Sequence, residues 1–161
     1  MVGSIRVLVV DDHEYWRKFS SATLQKIPES KVVGEASDGL QAIRLAQQLQ
    51  PDLIVLDVGL PDLNGIEAAR TIRDLCPNSK IAFMTANRSR DIAEEALSTG
   101  ACGYIVKSDA ASELLPAIKA VLEGKRFLSA SLDLTGCNDQ YAKGKHSEVT
   151  VPLLETGEVQ Y

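Results

Sequence analysis

Five times between residues 5 and 123, a short apolar run gives way to a polar turn and then to a stretch whose apolar residues recur at helical spacing. The runs are residues 5–10 (IRVLVV), 31–36 (KVVGEA), 53–56 (LIVL), 81–84 (IAFM) and 103–106 (GYIV). The helical stretches are 14–27, 40–49, 64–76, 91–99 and 112–123. Strands alternating with helices need crossover connections, which are right-handed and leave one parallel sheet covered on both faces. Local signals agree. Pro28 closes the first helix, Asp38-Gly39 makes a turn and Pro51 opens the third unit. Asn64 caps the third helix, and Gly100 and Gly124 stop the fourth and fifth. Pro116 is expected within about the first turn of the fifth helix, where a missing N–H costs least.

Composition fits this frame. Aromatic residues are only 5% of a chain that is 45% hydrophobic, so Val, Ile, Leu and Ala must fill the core, as in parallel sheets. A net charge of -5 argues against a chain built to coat nucleic acid or an anionic membrane. No apolar stretch reaches the roughly 20 residues of a membrane span, and no signal peptide precedes the first strand. Cys76, Cys102 and Cys137 are odd in number and lack metal spacing, and His13 and His146 lie far apart. Reduced thiols, a cytoplasmic location and no zinc site are the expectation.

After Phe127 the pattern stops. Residues 129–161 contain Gly136, Gly144, Pro152 and Gly157, with two lysines against five acids and no sustained periodicity. The expected organisation is one domain over residues 1–128 and an extension of unknown role over 129–161. The apolar stretch 149–154 (VTVPLL) in that extension is one surface that could dock on a partner.

In an open parallel sheet, ligands gather beyond the carboxyl ends of the strands. Strand one ends in Asp11 and Asp12, strand three in Asp57, strand four in Thr85 and strand five in Lys107. Converging carboxylates repel unless a cation sits among them, and hard oxygen ligands suit Mg²⁺, with Mn²⁺ able to take its place. A metal, a lysine and a hydroxyl donor are the parts that stabilise phosphoryl transfer, and a carboxylate can itself be the nucleophile. Singly, each residue has a plainer reading. Asp12 could cap the first helix, Asp57 could open a turn with Pro61 and Gly65, and Thr85 could be a loop hydroxyl. Lys107 could be a solvated charge, and Tyr104 a half-buried strand residue. Their joint placement at successive strand ends is what the plainer readings leave unexplained.

The stretches VLVVDDHEYWR, PDLIVLDVGLPDLNGIEAARTIR, IAFMTAN and GACGYIVKSDAASELLPAIKAVLEGKRFLS resemble bacterial two-component response-regulator receiver domains, over about residues 5–128. The later segments look most like the NarL/FixJ branch, which usually carries a C-terminal helix-turn-helix. The resemblance implies a flavodoxin-like, doubly wound α/β fold with five parallel strands in the order 2-1-3-4-5 and five flanking helices. It implies that a sensor histidine kinase or a phosphotransfer protein donates a phosphoryl group to Asp57. Asp12, Asp57 and the Gly59 backbone carbonyl would hold the metal, with Asp11 helping through water. Lys107, Thr85 and the Ala86 backbone N–H would bind the phosphoryl oxygens. Tyr104 would reorient when Thr85 is drawn inward, switching the contacts made to a downstream protein or a second copy.

Two departures stand out. Ser108 follows Lys107 where many receivers have proline, although the NarL-like branch commonly lacks it. Nothing from Ser129 onward resembles a helix-turn-helix. The expectation is therefore a stand-alone receiver, or one whose output domain was lost or replaced, which does not by itself bind DNA specifically. Self-phosphorylation and self-dephosphorylation would be its only chemistry, so it would not be a turnover enzyme. Three alternatives fit these residues less well. An aspartyl-nucleophile phosphatase would want a second Asp where Gly59 stands. A flavodoxin-like cofactor binder would meet Asp11-Asp12 where a phosphate must sit. A phosphorylation-independent pseudo-receiver would not need an intact acidic edge.

Overall fold

All five apolar runs are strands, and a sixth follows them. The computed structural model describes residues 3–132. In chain order the elements are β1 (Ile5–Val10), α1 (Glu14–Leu24), β2 (Ser30–Ala36), α2 (Gly39–Leu49), β3 (Leu53–Leu56) and α3 (Gly65–Leu75). There follow β4 (Lys80–Thr85), α4 (Arg90–Leu97), β5 (Gly103–Val106), a 3-10 turn (Lys107–Asp109), α5 (Ala110–Leu122) and β6 (Phe127–Leu128). The sheet order is β2-β1-β3-β4-β5-β6, the expected 2-1-3-4-5 with one strand added. Cys137, His146 and the 149–154 stretch lie outside the described residues.

The chain divides into two compact units at Ile81/Ala82. In the first, β1 pairs in parallel with β2 on one side and β3 on the other. Val7 to Val10 and Leu53 to Leu56 are buried throughout, which is why those strands read as unbroken apolar runs rather than as alternations. Asp38 caps α2 by accepting the Gln41 N–H at 2.8 Å. Asn64 caps α3 by accepting the N–H groups of Ile66 and Glu67 at 2.9 and 3.0 Å. The first helix is shorter than its apolar pattern predicts. It stops at Leu24, and a tighter turn follows, with Lys26 and Ile27 donating to the carbonyls of Thr23 and Leu24. Ile27 is still buried, so it satisfied the helical pattern without being helical.

In the second unit, β5 pairs in parallel with β4 and with β6. The turn Lys107–Asp109 runs directly into α5, which starts at Ala110 and not at residue 112. Pro116 is therefore its seventh residue, an interior position where the ring removes a helical hydrogen bond, contrary to the first-turn placement expected for it. Ala110, Leu114, Ala117, Ile118 and Val121 are buried, and this apolar stripe keeps the helix docked. Strand β6 was not foreseen because two residues carry no periodicity. Among the described residues no helix is long and apolar enough to cross a membrane.

Candidate functional site

In the first unit, the last pair of the β1–β3 ladder is Val10↔Leu56. Asp11 and Asp57 come next on each strand, so they stand side by side where neighbouring strands lie about 4.8 Å apart. The ladder carries on into them, with the Asp57 N–H donating to the Val10 carbonyl at 3.1 Å. Both carboxylates are withdrawn from water, with Asp11 1% and Asp57 5% exposed. Asp11 is tied from several directions. Its N–H donates to the Ala36 carbonyl, its Oδ1 accepts the His13 N–H at 3.0 Å, and its carbonyl accepts a bond from Arg17 at 2.8 Å. Arg17 also meets Glu35 at 3.1 Å. The sequence reading missed this support; it would have needed the knowledge that one helical turn brings Arg17 back over the end of β1.

Asp12 does not cap α1. His13 takes the cap position without a side-chain bond, which leaves the partly exposed Asp12 carboxylate to its own chemistry. The His13 Nδ1 lies 3.1 Å from Asp12 and 3.4 Å from Asp11, and ligand atoms of all three residues fall within 4.8 Å of one another. The two carboxylates of this cluster, Asp11 and Asp12, are oxygen donors of the kind that fits a hard divalent cation such as Mg²⁺.

The loop after Asp57 is held by close backbone approaches. The Gly59 N–H donates to Asp57 Oδ1 at 3.3 Å. Gly65 donates its N–H to the Val58 carbonyl at 2.7 Å, and a Cβ on Gly65 would fall 1.9 Å from the Asp57 carbonyl oxygen. A Cβ on Gly39 would likewise meet the Leu63 carbonyl oxygen at 1.9 Å. Around Gly59, by contrast, a Cβ would meet nothing within 4 Å.

In the second unit, Thr85↔Val106 is the last pair of the β4–β5 ladder, so Ala86 and Lys107 follow it on adjacent strands. Thr85 and Lys107 are both buried. The plainer readings of Lys107 as a solvated charge and of Tyr104 as half-buried do not hold. Lys107 is 8% exposed and Tyr104 is not exposed at all. Asn87 joins the parts. Its N–H donates to Thr85 Oγ1 at 3.3 Å, its carbonyl accepts the Tyr104 hydroxyl at 2.8 Å, and its side chain accepts the Ser89 N–H at 2.8 Å. Ser89 in turn caps α4 by accepting the Ile92 N–H at 3.4 Å.

A sequence profile described as "Response regulator receiver domain" matches residues 7–119. The transcriptional regulatory protein LiaR of Bacillus subtilis (strain 168) is 37% identical over 128 residues, a match covering 80% of this chain and 61% of LiaR. The nitrate/nitrite response regulator protein NarL of Escherichia coli (strain K12) is 37% identical over 127 residues, covering 78% of this chain and 58% of NarL. The chain thus spans about three fifths of the length of these relatives. Among solved structures, a LuxR-family two-component response regulator from Aurantimonas sp. SI85-9A1 superposes with a TM-score of 0.74 at 36% identity, over 83% of this chain and 94% of that one. Receiver domains of this kind use Mg²⁺ at an acidic pocket and interact with histidine kinases or phosphotransfer proteins. On the profile match, the identities and the fold together, the chain belongs to the response regulator receiver domain family.

Proposed function

We propose that Asp57 is the phosphoacceptor of this domain. An oxygen of its carboxylate attacks the phosphorus of a phosphohistidine on a sensor histidine kinase or phosphotransfer protein. The P–N bond breaks, and the imidazole leaves with the electron pair. The observation that carries this reading is the pairing of Asp57 with Asp11 at adjacent strand ends, both buried. Two carboxylates kept from water side by side are costly unless they serve a cation and a reacting group.

Asp12, Asp57 and the Gly59 carbonyl would hold Mg²⁺, or Mn²⁺ in its place, with Asp11 acting through water. When bound, the metal supplies neutralisation of the charge on the phosphoryl oxygens. The remaining work belongs to Lys107, Thr85 and the Ala86 N–H, which bind those oxygens, and to Tyr104, which responds to Thr85. Gly59 offers no carboxyl at the position where an aspartyl phosphatase has its general acid, so the chemistry is confined to one phosphoryl group gained and slowly lost, without turnover. Residues 1–128 form the receiver and 129–161 an extension, in a cytoplasmic protein. Output runs through protein contacts, to a partner or a second copy. With two lysines against five acids in that extension, the chain lacks the clustered positive charge that specific DNA binding draws on.

Incubation with acetyl phosphate tests the reading. A mass gain of one phosphoryl group that requires Mg²⁺ supports it, and no gain under any divalent ion rejects it.

A further inference from the structure

The chain leaves the second unit through β6, and its exit is fastened to the strand that ends at Lys107. Leu128 pairs with Tyr104, and the Ser129 N–H continues the ladder by donating to the Tyr104 carbonyl at 3.0 Å. There the backbone ladder ends and side chains take over. Ser129, fully buried, accepts the Val106 N–H on its Oγ at 2.7 Å and donates its own proton to Glu113 at 2.5 Å. The other Glu113 oxygen accepts the Ala130 N–H at 3.1 Å, and the Ser131 hydroxyl donates to Asp109. Val106 immediately precedes Lys107, Asp109 closes the 3-10 turn that Lys107 opens, and Glu113 lies in the first turn of α5. The exit segment therefore holds the backbone on both sides of Lys107.

A strand edge needs nothing so elaborate. The buried Val106 N–H must find an acceptor, and here a side chain supplies it after the chain has turned away from the sheet. Glu113 then fixes that side chain through one charge-assisted bond and the neighbouring Ala130 N–H through a second, both of the strong kind. From this geometry we propose that Ser129 and Glu113 are positioning residues for Lys107, and that through the same bonds the exit segment 129–131 senses whether the domain is phosphorylated. The proposal rests on the assignment of Lys107 to the phosphoryl group. When Lys107 is held on an anion, its backbone is pulled between Val106 and Asp109, and the bonds to Ser129 and Ser131 bear that pull. By reciprocity, whatever the exit segment does for anion affinity, the anion does for the order of the exit segment.

The experiment uses the full chain with Mg²⁺ and beryllofluoride as the phosphoryl mimic. It compares wild type with Ser129→Ala and Glu113→Ala, the second of which leaves the Ser129–Val106 bond in place and puts a strong helix former into α5. In wild type, beryllofluoride is expected to change the amide hydrogen exchange of Ser129 and Ala130 by about fivefold or more, and both variants are expected to bind it at least about fivefold more weakly. A purely structural role would lower the melting temperature equally with and without beryllofluoride; positioning requires a larger loss with it. If Ser129→Ala does not fold, Glu113→Ala decides. Variants with wild-type affinity, or exchange at Ser129 and Ala130 indifferent to beryllofluoride, would overturn the proposal. Wild type failing to bind beryllofluoride at all is a different result, because it removes the phosphoacceptor reading itself and the proposal with it.

Discussion

The hydroxyl of Tyr104 donates to the carbonyl of Asn87 at 2.8 Å, and the N–H of Asn87 donates to Thr85 Oγ1, so the two residues expected to switch together are joined through one backbone unit. Movement of Thr85 would pull on Asn87, and through it on the Tyr104 hydroxyl or on Ser89 at the start of α4. Tyr104→Phe removes one hydrogen bond and leaves the packing. It is expected to cost about 1 kcal/mol in denaturant unfolding. It should also shrink the beryllofluoride-induced NMR shifts over residues 89–123. Unchanged stability together with unchanged shifts would break the proposed link.

Metal binding should depend on Asp12 and be visible from α1. Trp16 packs edge-on against Tyr15 and Phe19, with ring centroids 5.0 and 5.4 Å away, so its fluorescence reports on the start of that helix. Outer-sphere partners alone are worth 10–100-fold in affinity, so Asp12→Ala should weaken Mg²⁺ binding by roughly tenfold or more. A titration in which the variant matches wild type would remove Asp12 from the ligand set.

Glycine substitutions should separate the loop's geometry from its chemistry. Gly65→Ala puts a methyl 1.9 Å from the Asp57 carbonyl oxygen, and backbone must move to admit it. A loss of about 2 kcal/mol or more is expected. Gly59→Ala meets nothing within 4 Å. Since only the Gly59 carbonyl is assigned to the metal, that variant should stay within about 0.5 kcal/mol of wild type and keep its Mg²⁺ affinity. Equal damage from both substitutions would mean the loop is not positioned by the Gly65 contact.

Cys76 and Cys102 should differ in reactivity. Cys76 is fully buried, its thiol donates to the Ala46 carbonyl at 3.2 Å, and burial pushes it above its ordinary value of 9.0. The neutral form is the one the fold favours. Its stabilising contribution is therefore complete below the ordinary thiol range and is lost as pH rises through the elevated folded value. Alkylation of the native protein at pH 8 should label Cys102 and spare Cys76 until the protein is unfolded. Equal rates at both sites would contradict the burial of Cys76.

The strands were legible because a buried parallel sheet writes itself as apolar runs, and Asn64 was legible because a cap has a fixed chemistry. Asp11, Asp57, Thr85 and Lys107 could be picked out because each ends such a run. What could not be read were relationships with no period. The two residues of β6, the early start of α5 around Pro116 and the hub at Asn87 depend on partners distant in sequence, and the stop of α1 before Ile27 is a local turn that leaves the apolar spacing intact. Ser129 looked like the first residue of a featureless extension, although it is fully buried against β5.

On the proposed function, Asp57 alone takes the phosphoryl group. Wild type and Asp57→Asn are incubated with acetyl phosphate and Mg²⁺, and intact mass is read on both, with peptide mapping of any labelled species. One phosphoryl group is expected on wild type, mapped to the peptide containing Asp57, and none on the variant. Labelling of Asp57→Asn to the wild-type extent would contradict it.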